Sequence, residues 1–317
     1  MKLLIGYDGS SCSDAAIDDL QRAGLGDDVE ALLLTAADSW PLASAAMLPG
    51  TAIDPAIGGL GMLDGAQLDV LANRSVEDAK AIASRGADKL RSLFPAWKIS
   101  SETSTDSAAN ALLSRADSLK PDLIVVGSHG HSAAGRFFLG STSQSVLHHA
   151  RCTVRVARKG REESEANSGL RLMIGIDGSQ DSLAAARWLS RRRWPRGTEV
   201  RVVGATDLTA VALAAGADPS MSTAVVNALH GARLRLQREV HHEVKSLGES
   251  GLVATPALRD GSAKRILVDE AETWAADCIF VGARGMGGLT RLLIGSVSSS
   301  VAARAHCSVE VVRTIPT

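Results

Sequence analysis

The sequence predicts an α/β protein of two tandem domains. Each is a doubly wound, five-stranded parallel sheet with helices on both faces. Three observations predict it. Short β-branched apolar runs alternate with longer helical patterns along all 317 residues, and the order of elements occurs twice. The length accommodates two domains of about 150 residues each. Aromatics make up only 3% of residues against 45% hydrophobics, so the core is built of Leu, Val, Ile and Ala, which suits helices packed closely on a parallel sheet.

Taken in order, residues 2–7 read as a buried strand. Asp8-Gly9-Ser10 is a turn, with Ser10 or Ser13 placed to cap a helix that runs to about Ala23 and stops at Gly24 and Gly26. Residues 29–37 form a second strand. Residues 40–65, low in charge and rich in Gly, Pro and Ala, read as a long loop or lid. Leu68, Leu71, Ala79, Ile82, Leu90 and Leu93 mark the apolar face of a long helix that Pro95 ends. A strand at 97–103, a helix at 107–119, a strand at 123–126, a helix at 141–149 and a strand at 153–157 complete the first copy. The charged, aperiodic segment 159–170 reads as a linker between domains 1–158 and 171–317.

From Arg171 the order repeats: strands at 172–176, 199–205, 253–258, 278–281 and 308–312, with helices at 179–190, 223–247, 263–275 and 296–304. Asp8 and Asp177 are 169 residues apart, whereas Gly127 and Gly282 are 155 apart. The second copy is therefore 14 residues shorter between those points, and the shortening falls in the loop after its second strand.

The chemistry is concentrated after each fourth strand. Gly127, Gly130, Gly140 and Ser141 follow the template Gly-x2-Gly-x9-Gly-Ser, and Gly282, Gly285, Gly295 and Ser296 follow it again. With glycine at about a tenth of residues, one match by chance is an event of a few per cent, and two in the same strand–loop–helix context are far rarer. Glycines let backbone N–H groups approach an anion, and a helix N-terminus adds open donors and the positive end of its dipole. A carboxylate ends each first strand, in L-L-I-G-Y-D-G-S (Asp8) and L-M-I-G-I-D-G-S (Asp177).

Together these motifs resemble the nucleotide-binding signature of the universal stress protein family, in its ATP-binding branch, and the resemblance spans nearly the whole chain as two copies. It implies strand order 3-2-1-4-5 in each Rossmann-like domain, with strands 1 and 4 adjacent at the switch point where open α/β sheets bind ligands. It also implies ATP as ligand, with ADP or AMP next, and Mg²⁺ only as carried by the phosphates. In the first site the residues so implied are Gly6, Asp8, Ala36, Ala37, Gly127, Ser128, His129, Gly130, Gly140, Ser141 and Thr142. In the second they are Gly175, Asp177, Ala205, Thr206, Gly282, Ala283, Arg284, Gly285, Gly295, Ser296 and Val297.

The glycine loop and Ser141 or Ser296 are expected to hold phosphate. The strand-2 ends, Ala36-Ala37 and Ala205-Thr206, are expected to read the adenine edge. Asp8 and Asp177 face either the nucleoside or a phosphate-bound Mg²⁺, since a bare carboxylate repels phosphate. Arg284 neutralises phosphate at any pH, but His129, at the same loop position, only when protonated.

Other chemistries fit less well. There is no G-x-x-x-x-G-K-[ST], and no G-x-G-x-x-G follows the first strand, which argues against a P-loop ATPase and a nicotinamide site. His129, His131, His148 and His149 invite a metal reading, but the second copy keeps none of the first three, so ordinary polar surface is the better account. Arg191 to Arg193 read as a solvated helix end. Cys12 near the proposed site invites a reactive-thiol reading, against which stands a plain small residue at a helix start. No catalytic residue is assigned.

A net charge of −1 gives no general attraction to nucleic acid or anionic membrane. Scattered cysteines and the lack of an 18-residue apolar run lead to the expectation of a reduced, cytoplasmic setting.

Three functions stay open: a nucleotide-dependent stress sensor, a slow ATPase or phosphotransferase, and a scaffold with structural nucleotide. The last strands, T-V-R-V-A and S-V-E-V-V, are candidate sheet edges. Family members often dimerise there, so the two domains are expected to pair as a pseudo-dimer, with a homodimer of chains and a protein partner left open.

Overall fold

The structure, a computed structural model, describes residues 1–37, 65–129, 139–160, 169–206, 222–285 and 294–314. The loop or lid expected at 40–65, apart from Gly65 which starts a helix, and most of the linker lie outside them, as do Gly130 and His131.

In the first copy β1 (Lys2–Gly6) leads to α1 (Ser11–Asp19), extended by a short 3-10 turn at Leu20–Arg22, and then to β2 (Glu30–Ala36). Next come α2 (Gly65–Leu93), β3 (Lys98–Ser104), α3 (Ala108–Leu119), β4 (Leu123–Gly127), α4 (Ser141–His149) and β5 (Thr153–Ala157). The second copy repeats this as β6 (Arg171–Gly175), α5 (Gln180–Ser190), β7 (Glu199–Thr206), α6 (Ser222–Glu249) and β8 (Val253–Asp260). It closes with α7 (Ala263–Thr273), β9 (Cys278–Gly282), α8 (Ser296–Arg304) and β10 (Ser308–Val312).

The sheet is continuous over ten strands in the order β3-β2-β1-β4-β5-β10-β9-β6-β7-β8. Each copy thus has order 3-2-1-4-5, with parallel neighbours. The two copies join antiparallel at β5 and β10, in the register Val154↔Val311, Arg155↔Glu310 and Val156↔Val309. Each copy's last strand covers the other's edge. The outer edges are β3, whose K-I-S-S-E-T-S is largely polar, and β8, whose Pro256 suits an edge strand.

Alternation along the strands sorts the core. On β1, Leu4 belongs to one apolar cluster, shared by both copies, with Leu112 of α3 and Val146 of α4. Leu3 and Ile5 point the other way, towards Ile17 of α1 and Leu90 of α2. Leu172, Ile174, Ala185 and Val240 form the matching cluster of the second copy. On α2 the buried stripe is Ala79, Ala83, Ala87 and Leu90, while Leu71, expected on the apolar face, is 37% exposed. Small alanines let this helix lie close to the sheet, so the buried stripe was weaker in hydrophobicity than the leucines around it.

The junction also corrects, for Arg192 alone, the reading of Arg191 to Arg193 as a solvated helix end; Arg191 and Arg193 are exposed as expected. The Arg192 side chain is 5% exposed and binds Glu310, which also accepts from Arg155 at 2.9 Å. Arg155 in turn reaches Asp19 at 2.7 Å. Two cations and two anions are therefore sealed at the domain boundary. Arg192, just past α5, meets the other domain there instead of solvent, which no periodicity in one copy could reveal. Two further arginines reach across symmetrically. Arg158 donates to Ala302 O at the end of α8, and Arg313 to Leu147 O near the end of α4, answering carbonyls that a helix end leaves unpaired.

Candidate functional site

In both copies the first and fourth strands are hydrogen-bonded neighbours, β1 with β4 and β6 with β9, so their carboxyl ends open on one crevice. The turn after the first strand is built the same way twice. Asp8 Oδ1 accepts from Ser10 N at 3.0 Å and Asp177 Oδ1 from Ser179 N at 2.9 Å. Gly9 and Gly178 take φ +75° and +82°, a left-handed conformation that favours glycine. Ser10 and Ser179 then cap α1 and α5, each accepting at 3.2 Å from the amide of Ser13 or Ser182.

The opposite wall is a helix start with no side-chain cap. Gly140 precedes α4 and Gly295 precedes α8, and neither offers a side chain to the first amides of its helix. Those amides are therefore available to an anion. Gly140 N is held by Ser128 O at 2.8 Å and Gly295 N by Ala283 O at 2.7 Å, which fixes the helix starts against the fourth strands. Ser143 and Ser298 strengthen this by donating to Gly127 O at 2.5 Å and Gly282 O at 2.7 Å.

Carboxylate and glycine loop converge. A Cβ added to Gly285 would stand 2.8 Å from Asp177 Oδ2. Gly130, its counterpart, lies outside the described residues, but Asp8, Gly140 and Ser141 line one cleft. The cleft volumes are about 330 Å³ in the first copy and about 460 Å³ in the second, within the usual range of small-ligand sites.

Of the expected first-site residues, Gly6, Asp8, Ala36, Gly127, His129, Gly140, Ser141 and Thr142 line the cleft. In the second, Gly175, Asp177, Ala205, Gly282, Arg284, Gly285, Gly295, Ser296 and Val297 do. Ala37, Ser128, Thr206 and Ala283 do not. Ala37 N is spent on Ser104 O at 2.7 Å, Thr206 Oγ1 on Asp260, and buried Ala283 donates to Val312 O. Sequence reasoning missed the apolar wall, Leu34, Ala108 and Leu112 in one copy and Val203, Ala263 and Leu267 in the other. The signal was present: Ala108/Ala263 and Leu112/Leu267 keep the offset of 155 that relates the glycine loops.

The loop side chains differ from expectation. Arg284 is not free to meet a ligand as an uncompensated cation. Its Nε and Nη2 bind Asp181 at 2.8 and 3.2 Å, and Nη2 also donates to Thr314 Oγ1 at 3.1 Å. Burial alone would raise the Asp181 carboxyl, but hydrogen bonds from Arg284 and Thr314 outweigh it and hold the group below the ordinary aspartate value. His129 has Nδ1 3.1 Å from Ser128 Oγ, and its Nε2 is buried without a partner among the described residues. The described residues contain no group of three or more His, Cys, Asp or Glu that could hold a metal ion. None of their helices is long and apolar enough to cross a membrane.

Comparison with known proteins adds the following. Residues 1–158 and again 170–313 match the sequence profile of the universal stress protein family. A universal stress protein of Mycolicibacterium smegmatis is 32% identical over 219 residues, 68% of this chain and 69% of that protein. One of Mycobacterium tuberculosis is 30% identical over 192 residues, 61% of this chain and 62% of that protein. Among solved structures, a universal stress protein from Archaeoglobus fulgidus superposes with TM-score 0.62 at 18% identity, covering 98% of each chain. A functionally unknown Pseudomonas aeruginosa protein superposes with TM-score 0.58 at 14% identity, covering 99% of this chain and 92% of that one. At such identities the two superpositions speak for the fold.

Proposed function

We propose a function from one premise: this chain belongs to the universal stress protein family. Each half binds one adenine nucleotide, ATP first and ADP or AMP next, and occupancy rather than turnover is the output. The protein acts as a nucleotide-dependent sensor or regulator in the cytoplasm, passing its state to a protein partner. One observation carries the reading. A carboxylate-bearing turn and an uncapped helix start face each other across a glycine-lined cleft, and the chain holds that arrangement twice.

The apolar wall suits an adenine ring, and the helix amides suit phosphate. Only one carboxylate of the turn faces each cleft, so the residues present fit a Mg²⁺ carried in on phosphates better than a resident ion. Nucleotide titration of the purified chain tests the reading. Binding is expected in wild type and its loss in Asp8→Ala plus Asp177→Ala. Absence of binding in wild type, or unchanged binding in the double variant, refutes it.

A second reading, slow ATP hydrolysis or phosphotransfer, is favoured by the Nε2 of His129, which has no partner among the described residues and lies beside the first glycine loop. Phosphate release is measured with and without Gly140→Ala and Gly295→Ala, and turnover no faster than buffer removes it.

A further inference from the structure

The two sites share a backbone but not the charges around it. Against the Asp8 turn the long helix α2 places a cation: a Cβ on Gly9 would stand 2.7 Å from Arg85 Nη2. Asp14 is also near, accepting from Tyr7 Oη at 2.8 Å, with Lys89 3.6 Å from it and 2.9 Å from Asp18. Against the Asp177 turn, α6 instead places an acid: a Cβ on Gly178 would stand 3.7 Å from Glu239 Cγ.

The loop side differs in the same sense. Cys12, His129 and Lys159 occupy the sequence places that Asp181, Arg284 and Thr314 hold in the second copy. In the second site Asp181, 3% exposed, therefore cancels the loop's cation. In the first no carboxylate occupies that place. At the positions of Arg85/Glu239, His129/Arg284 and Cys12/Asp181, the first site carries one net positive charge with His neutral, and the second one net negative charge.

We propose that the two clefts divide nucleotides by phosphate charge: the N-terminal site takes the polyphosphate form, and the C-terminal site takes the monophosphate form. This rests on both clefts binding adenine nucleotides. The recognising chemistry is simple. Both sites offer the same helix amides, so the first phosphate is received alike. Asp8 and Asp177 act alike in the two sites, so the charge of each further phosphate meets a difference only in the surrounding groups, with Arg85 behind one turn and Glu239 behind the other. Two charge units of difference around the cleft, acting on the several charges that further phosphates add, correspond to about 10-fold in relative affinity.

The test uses the full chain in EDTA, with bare ATP and AMP as probes and calorimetry as readout. Ser141→Glu and Ser296→Glu each place a carboxylate on one anion bed. Both serines are exposed at the first helical position, where an acid is tolerated, so the fold is kept. Ser296→Glu, with only the first site open, is expected to bind ATP about 10-fold tighter than AMP. Ser141→Glu, with only the second open, is expected to bind AMP the tighter. Adding Glu239→Gln to Ser141→Glu should raise ATP affinity several-fold and leave AMP nearly unchanged. Equal ATP/AMP ratios in the two single variants, or no response to Glu239→Gln, overturn the division while leaving nucleotide binding intact. No binding of either probe to wild type removes the underlying reading together with the division.

Discussion

Neutralising Glu310 tests what holds the two domains together. Its side chain is fully buried and takes hydrogen bonds from Arg155, Arg192 and Trp188. Asp19 also pairs with Arg155 and is itself held by Ser308 at 2.8 Å. Glu310→Gln keeps the shape, so no cavity opens, but leaves Arg155 and Arg192 to share one carboxylate. Removing one partner of a buried ion pair strands a desolvated charge, at a cost of about 3–5 kcal/mol. With a urea slope of about 3 kcal/mol/M, the unfolding midpoint should fall by roughly 1–1.7 M.

Circular dichroism follows the whole fold, and the fluorescence of Trp188, a direct partner of Glu310, follows the boundary. The exposed pair Arg115–Glu102, with contacts of 2.7 and 2.8 Å, supplies the control. Glu102→Gln there should cost only about 0.2–1 kcal/mol. If Glu310→Gln costs no more than Glu102→Gln, the buried cluster is not what fixes the domain junction, and the electrostatic account of it is wrong.

Three other outcomes are expected. Gly282→Ala would put a Cβ 2.5 Å from the backbone of Asp181 and Ser182 and should cost about 1–3 kcal/mol. Gly248→Ala, in a helix with nothing within 4 Å, should instead stabilise by about 0.5–1 kcal/mol; urea midpoints of both would show a reversed order if the contact geometry were wrong. Burial pushes the Cys152 thiol up to about 11 and the Cys307 thiol up to about 12, and raises Cys278 as well. Iodoacetamide at pH 8 should therefore label only half-buried Cys12 in the folded chain, and mass spectrometry finding modification at Cys152, Cys278 or Cys307 would contradict this. Because the Asp181 carboxyl is held below its ordinary 3.8, its stabilising contribution is complete above that pH and lost as pH falls through the lower folded value. Asp181→Asn should thus flatten the acid limb of a stability–pH curve, and an unchanged limb would show that the latch with Arg284 adds nothing.

Most of the fold was legible because its signals are local. α4, α8, β5 and β10 keep the residue bounds read from sequence. A glycine before the helix and a short β-branched run need no distant partner to be recognised. The backbone of the site was legible for a related reason: Asp8 and Gly140 are far apart in sequence, but a parallel sheet with strands 1 and 4 adjacent brings their ends together. Side-chain partnerships were not. Arg284 pairs with Asp181 across 103 residues, and Arg192 with Glu310 across 118. Each of these arginines, taken alone, looks like a surface cation.

The pattern of what was missed carries its own lesson about duplication. Where both copies keep a residue, as at Asp8/Asp177 or Ser143/Ser298, the shared backbone geometry requires it. Where they differ, some changes are compensated inside one copy, as Arg284 is by Asp181, or across the boundary, as Arg155 is by Glu310. Arg155 in one last strand stands opposite Glu310 in the other, at equivalent positions of an antiparallel pair. Two first copies pairing by the same strand would set Arg155 against Arg155 in a sealed space, and two second copies Glu310 against Glu310. Like charges that close and that dry oppose association strongly. The divergence therefore favours pairing of the two unlike halves of one chain. Two clefts held in one continuous sheet then remain free to differ in the charges around them.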